Sequence, residues 1–178
     1  NVKYYLDQCI RSVLHAFEVM QGSANLETGA DSSEENGIAE LIVVDNHSAD
    51  GSVDYLEQRY PQEQYPMVRF VESSHNLGFA RANNIAIRQS RGEYVLLLNP
   101  DTIVGEDVLK KCVDFMDVHE NAGAVGVRML NATGKRAMES RRGLPTPMVS
   151  FFKMLGFCNR WPQHRLFGRY YMGYLPWD

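Results

Sequence analysis

The chain contains no apolar run of about 18 or more residues, so no segment is long enough to cross a bilayer as a helix. Nothing in it has the charged start, apolar middle and small-residue cleavage site of a secretory signal. Cysteine is scarce: only Cys9, Cys112 and Cys158 occur, far apart and without a C-x-x-C pair. That excludes a disulfide framework and a cysteine-built zinc site, and it suits a reducing compartment. Cys9 and Cys112 fall on apolar helical faces, where a small buried hydrophobe is the expected role. Excess positive charge is missing as well. With 18 Lys and Arg against 22 Asp and Glu, the net charge is −4, which argues against a nucleic-acid binder held by phosphate neutralisation. No G-x-G-x-x-G turn follows the first apolar run, which counts against a dinucleotide-dependent oxidoreductase. No internal repeat of fixed period is present.

The 178 residues are 44% hydrophobic, enough for one domain with a full core and few for two. Leu6, Cys9, Ile10, Val13, Leu14 and Phe17 recur at helical spacing and predict an amphipathic helix over 4–20. Residues 21–37, rich in Gly, Ser, Asn, Asp and Glu, are expected to form a flexible solvated insertion. A regular alternation follows. Short apolar runs at 41–44, 68–71, 94–98 and 124–127 predict strands, and helical spacing predicts helices over 52–59, 79–88 and 108–118. Buried strands alternating with helices point to an α/β fold with a mostly parallel sheet.

After Arg141 the composition changes. Arg141, Arg142, Lys153, Arg160, Arg165 and Arg169 are interleaved with Phe151, Phe152, Phe157, Trp161, Phe167, Tyr170, Tyr171 and Trp177, and Asp178 is the one acid. Two readings are open: an aromatic and basic surface suited to anionic headgroups, or an ordinary packing segment. The boundary expected from this change divides 1–140 from 141–178.

Three predicted strand ends deliver polar groups. Asp45-Asn46 is followed by Ser48 and Asp50-Gly51-Ser52, the second strand leads to His75-Asn76-Leu77-Gly78, and the apolar run Leu96-Leu97-Leu98 stops at Asn99-Pro100-Asp101. Parallel strands end on one edge, where open α/β sheets bind ligands. A lone carboxylate there can hold a metal or a phosphate-bearing substrate. Each group also has a plain reading: Ser48 or Asp50 as a helix cap, Asn76–Gly78 as a turn, His75 as a surface histidine, Asn99–Asp101 as a turn.

Residues 41–52, with Val44-Asp45-Asn46, resemble the second-strand motif of family 2 glycosyltransferases. His75-Asn76-Leu77-Gly78-Phe79-Ala80-Arg81-Ala82-Asn83-Asn84 is similar to the family's next motif, and residues 96–102 resemble its metal-binding D-x-D element. The Asn-Leu-Gly-Phe and Asn-Pro-Asp flavour, with the stretch from Arg141 to Tyr171, is similar to rhamnosyltransferase-like bacterial members. The resemblance implies a GT-A fold that binds a nucleoside-diphosphate sugar. On that basis Asp45, Asn46, Asn76, Gly78, Arg81, Asn84 and Asn99 would line the nucleotide-sugar site. Asp101 would hold Mg²⁺ or Mn²⁺, and Asn99, where relatives carry an acid, would weaken the metal site. The implied activity is inverting transfer from a donor such as dTDP-rhamnose or a UDP-sugar to a lipid-linked or polysaccharide acceptor in cell-surface glycan synthesis. The expected location is cytoplasmic; the aromatic and basic segment adds peripheral contact at the inner face of the cell membrane to the expectations, and the net charge excludes a nucleic-acid partner from them.

The chain departs from that pattern in three ways. It lacks an initiator Met and begins at Asn1 where the family's first strand would end. It stops at Pro176-Trp177-Asp178 without a recognisable terminal element. No segment after Asp101 resembles the family's general base, so no catalytic base is assigned. A chain truncated at both ends is therefore expected, and a catalytically inactive sugar-nucleotide-binding or assembly module is the alternative function.

Overall fold

The alternation of apolar runs and helices folds as an α/β arrangement. The computed structural model describes residues 2–28, 39–137 and 140–176. The chain divides into two units, Asn1–Val118 and His119–Asp178.

In the first unit, helix α1 (Val2–Thr28) leads to strand β1 (Leu41–Asp45), helix α2 (Ser52–Arg59), strand β2 (Val68–Glu72), helix α3 (Phe79–Gln89) and helix α4 (Val108–Val118). The strands β1 and β2 pair in parallel, Leu41 opposite Val68 through to Asp45 opposite Glu72. The Ser73 amide donates to the Asp45 carbonyl at 2.9 Å and carries the pairing one step past both strands. Helix α3 lies against β1, and α1 packs on α2 and α4.

The predicted periodicity of α1 fits its inner face, where Cys9, Ile10, Val13, Ala16 and Phe17 are all buried. Ile10, Leu56, Tyr60 and Val68 form the centre of the core, with Leu6, Leu14, Leu41, Val43 and Phe70 around it. One charge is buried beside that core. Asp7 meets Arg59 Nε at 2.6 Å and Arg11 at 3.0 Å, and it accepts from the Tyr60 hydroxyl at 2.7 Å. A carboxylate taken out of water is tolerable only with such partners. Helix α1 is thereby fixed to the end of α2 by a polar clamp as well as by packing.

Two expectations change. The segment predicted as a loop from residue 21 continues α1 to Thr28. Ala24, Leu26 and Glu27 are good helix formers, and Gly22 alone costs only about 1 kcal/mol, so a polar composition here does not end the helix. The rest of the predicted insertion, 29–37, lies outside the described residues. The apolar runs at 94–98 and 124–127 join no ladder among the described residues. A strand is completed by a partner, and apolar sequence alone supplies none. Leu96 and Leu97 are accordingly about half exposed, at 56% and 53%.

In the second unit, an antiparallel bridge between Leu130 and Arg136 closes a turn whose amides from Thr133 and Lys135 both donate to Asn131 Oδ1 at 3.0 Å. Helices α5 (Pro147–Met154) and α6 (Phe157–Arg160) and a 3₁₀ turn, η1 (Phe167–Tyr170), follow. Thr146 caps α5 by accepting from the Val149 amide, and Pro147 occupies the first helical turn, where its missing N–H is harmless. The Phe152, Phe157, Trp161 and Phe167 rings pack at centroid distances of 5.0 to 6.0 Å. The chain closes on them so tightly that a Cβ on Gly168 would collide with the Pro162 carbonyl. Cys9 and Cys158 are buried and Cys112 is half-buried, all three as free thiols. No helix among the described residues is long and apolar enough to cross a membrane.

Asp7→Ala is expected to lower stability by about 1–3 kcal/mol in urea denaturation, since it strands the Tyr60 hydroxyl while both arginines still reach water. A second outcome concerns alkaline pH. Burial first, then the Asp7 hydrogen bond, raises the Tyr60 hydroxyl well above its ordinary value. A raised folded-state value means the unfolded chain releases the proton first, so stability is intact below about pH 10 and falls as pH rises beyond it. Tyr60→Phe should flatten that fall, as read from denaturation midpoints across the range.

Candidate functional site

The carboxyl ends of β1 and β2 finish side by side because the strands are parallel, and the residues that follow them interlock. The Leu77 amide donates to Asn46 Oδ1 at 2.8 Å. A backbone N–H can only donate, so this bond fixes which end of the Asn46 amide is oxygen. Asn46 Nδ2 must then donate to Asn76 Oδ1, at 2.9 Å, and the same oxygen accepts from the Gly78 amide at 2.9 Å. Two asparagines thirty residues apart thus lock each other's orientation. Among the described residues Asn46 keeps one N–H and one lone pair, and the Asn76 amide nitrogen keeps its donors. The corner presents mainly N–H groups, which suit carbonyl or phosphate oxygens.

Asp45, the last residue of β1, accepts from the Ser48 amide at 2.9 Å. Its carboxylate shapes the following turn, in which His47 adopts a positive φ of 72°. Asp50 accepts from the Ser52 amide at 3.1 Å and the Ser52 hydroxyl at 2.5 Å. The hydroxyl bond is the first cause of its lowered pKa. Gly51, with φ 67°, occupies the cap position of α2, so neither Ser48 nor Asp50 is itself the cap residue.

Gly78 begins α3 with φ 75° and ψ 165°, a region open essentially to glycine alone. Arg81 and Asn84 follow one turn apart on α3, both exposed to solvent. His75 is exposed too, with its ring 3.1 Å from the Ser74 hydroxyl, and fits its plain surface reading.

Asn99, Pro100 and Asp101 form a second group. They line an open cleft of about 710 Å³ together with Tyr5, and the Thr102 amide donates to the Asn99 carbonyl at 3.2 Å to close the turn. Helix α1 holds this turn from behind. The Cys9 thiol reaches the Asn99 carbonyl at 3.7 Å, and the Val104 amide donates to the Ser12 hydroxyl at 3.0 Å. Burial is the chief cause that raises the Cys9 pKa, which keeps the thiol a donor. The role of Tyr5, Cys9 and Ser12 is not evident from motifs. The available signal was a small polar residue, Ser12, three positions after Cys9 on an otherwise apolar helical face.

The structure therefore joins Asn46 with Asn76, and gathers Asn99 with Asp101. No hydrogen bond or ion pair connects the two groups among the described residues. Nor does any cluster of three or more His, Cys, Asp or Glu occur among them. Asp101 is exposed and offers one carboxylate. A divalent ion held there would draw its remaining ligands from water and from phosphate oxygens, as Mg²⁺ commonly does. The donor set fits a metal bound jointly with a phosphate-bearing ligand.

Gly78→Ala tests the corner. A Cβ would meet nothing within 4 Å, so the expected loss of about 1–3 kcal/mol is purely conformational. It should appear in thermal or urea denaturation.

Residues 1–173 match the family described as Glycosyl transferase family 2. The low-salt glycan biosynthesis hexosyltransferase Agl10 of Haloferax volcanii is 30% identical over 139 residues, covering 74% of this chain and 41% of that protein. The minor teichoic acid biosynthesis protein GgaB of Bacillus subtilis is 27% identical over 121 residues, 68% of this chain and 11% of that protein. The poly(ribitol-phosphate) beta-N-acetylglucosaminyltransferase TarS of Staphylococcus aureus is 27% identical over 111 residues, 62% of this chain and 19% of that protein. No solved structure matches the chain. The chain spans less than half the length of each of these relatives. With its α/β fold and its paired parallel strands ending in the motifs above, the chain belongs to glycosyl transferase family 2.

Proposed function

We propose that this chain is the donor-binding part of an inverting glycosyltransferase that moves a sugar from a nucleoside diphosphate to a glycan or lipid-linked acceptor in cell-envelope glycan synthesis. The observation that carries the reading is the locked Asn46–Asn76 corner at the ends of two parallel strands. Its remaining N–H groups suit the ring carbonyls of a pyrimidine base or phosphate oxygens. Arg81 supplies positive charge and Asn84 a further amide on the helix that follows. Asp45 holds the first turn in shape.

Asp101, with Asn99 beside it, would hold Mg²⁺ or Mn²⁺. The ion, when bound, supplies a Lewis acid that neutralises the diphosphate leaving group. The amide of Asn99 in place of a second carboxylate lowers the charge of the site, so metal and diphosphate are expected to bind together. Relatives that build glycans and teichoic acids support a sugar donor in general. A dTDP- or UDP-sugar, including dTDP-rhamnose, remains part of the proposal. A lipid-linked acceptor would be met at the inner face of the cell membrane. We assign no catalytic base, and a binding module without turnover differs from this reading only in the transfer step.

Calorimetry with UDP, dTDP and NAD, each with and without Mn²⁺, tests the reading. A pyrimidine diphosphate should bind only with the metal, and Mn²⁺ alone should give no measurable heat. Asp101→Ala should abolish the metal-dependent binding and leave the circular dichroism unchanged, because the side chain is exposed. Binding of NAD alone, or unchanged binding in the variant, would sink the assignment.

A further inference from the structure

We propose that residues 140–176 carry a surface that docks on an anionic lipid bilayer. Helix α5 has two apolar faces. One packs inward, with Val149 buried and Phe152 set against the Phe157 and Phe167 rings. The other has no cover among the described residues. Met148, Phe151 and Leu155 follow each other at i, i+3 and i+7, so they adjoin on one side of the helix. They are 60%, 51% and 47% exposed, and Met154 beside them is 76% exposed. Leu144, just before the helix, is 84% exposed. Single exposed apolar residues are ordinary, but a continuous stripe marks an interaction site.

The charge of the segment that carries the stripe selects the partner. Residues 140–176 contain six lysines and arginines and no aspartate or glutamate. Lys153 rests its ammonium 3.9 Å from the centre of the Tyr170 ring, and Arg160 lies 5.9 Å from the Trp161 ring, so these cations are held by aromatic faces in a segment that offers no carboxylate. A second copy packing through the same face would set cations against cations. An acidic headgroup layer offers the opposite charge, and the hydrocarbon beneath it takes up the Met, Phe and Leu side chains. Juxtaposed basic residues gain about 1 kcal/mol each near such a surface.

The inference deepens the membrane placement proposed above and is independent of the donor site, since its test contains no nucleotide. The chain is sedimented with phosphatidylcholine vesicles and with vesicles carrying about one third phosphatidylglycerol. The bound fraction should be several-fold larger on the anionic vesicles and should fall with added salt. Met148→Ser with Phe151→Ser should weaken binding at least about tenfold by removing the apolar anchor. Arg160→Glu with Arg165→Glu should weaken it about tenfold by reversing charge. All four side chains are exposed, so circular dichroism should be unchanged, and either variant decides the matter if the other misfolds. Equal binding to both vesicle types, binding to neither, or full binding by the folded variants would overturn the proposal. So would a stable dimer that Phe151→Ser dissolves without any vesicle binding, which would assign the stripe to a second copy.

Discussion

The parallel pairing of β1 with β2 is the constraint from which the candidate site follows. Parallel strands cannot be joined by a tight turn, so the chain must cross back through a helix between them. That crossover, through α2, returns the chain to the same end of the sheet. Asp45 ends opposite Glu72, and the turns beyond them have no choice but to meet. Asn46 and Asn76 are far apart in sequence and 2.9 Å apart in space for this reason alone. A slip of one residue would turn every side chain to the other face. It would also carry Asn46 away from the Leu77 amide that orients it.

Helix α1 contributes to both the core and the second group of candidate residues. Its apolar face supplies Ile10 to the central cluster. Asp7 on the same helix ties it to α2 through Arg59 and Tyr60. Cys9 and Ser12 reach the other way, to Asn99 and Val104. One rigid element therefore positions a loop that has no strand ladder of its own. The backbone of this loop is held from behind while the carboxylate of Asp101 is left open.

Much of this was legible in the sequence where one short segment decides the outcome. The runs at 41–44 and 68–71 announced β1 and β2, and the spacing of Cys9, Ile10, Val13 and Phe17 announced α1. The turn expected at Asn76–Gly78 stands before α3, and the positive φ of its glycine was added by the structure. What could not be read is what depends on a distant partner. Tyr94 to Leu98 has all the local marks of a strand, yet pairing is a property of two segments, and no ladder forms on it among the described residues. The Asp7 clamp joins residues more than fifty positions apart, and nothing near Asp7 marks it as buried. The asparagine interlock is similar: each residue alone reads as a turn former, and only their juxtaposition gives them fixed orientation. The helical extension to Thr28 was missed for the opposite reason, because polar composition was taken to outweigh helix propensity.

The two groups of candidate residues differ in how far their hydrogen bonding is already spent, and that difference assigns them different tasks. Asn46 and Asn76 satisfy each other and two backbone amides before any ligand arrives. Their geometry is set in advance, so little ordering remains to oppose binding. Such a corner discriminates by shape and by the direction of its few remaining donors. Asp101 has spent nothing: its carboxylate has no hydrogen bond or ion pair in the described structure, and it belongs to no cluster of three or more His, Cys, Asp or Glu among the described residues. An exposed single carboxylate in water holds a cation weakly, because hydration competes well with one charge. Its contribution grows only when a second anion shares the ion. Under the proposed function the rigid corner would recognise a base carbonyl or phosphate oxygen without help, whereas the acid would act only once a ligand has brought its own negative charge. Specificity and charge neutralisation would then be separate tasks, placed on separate loops.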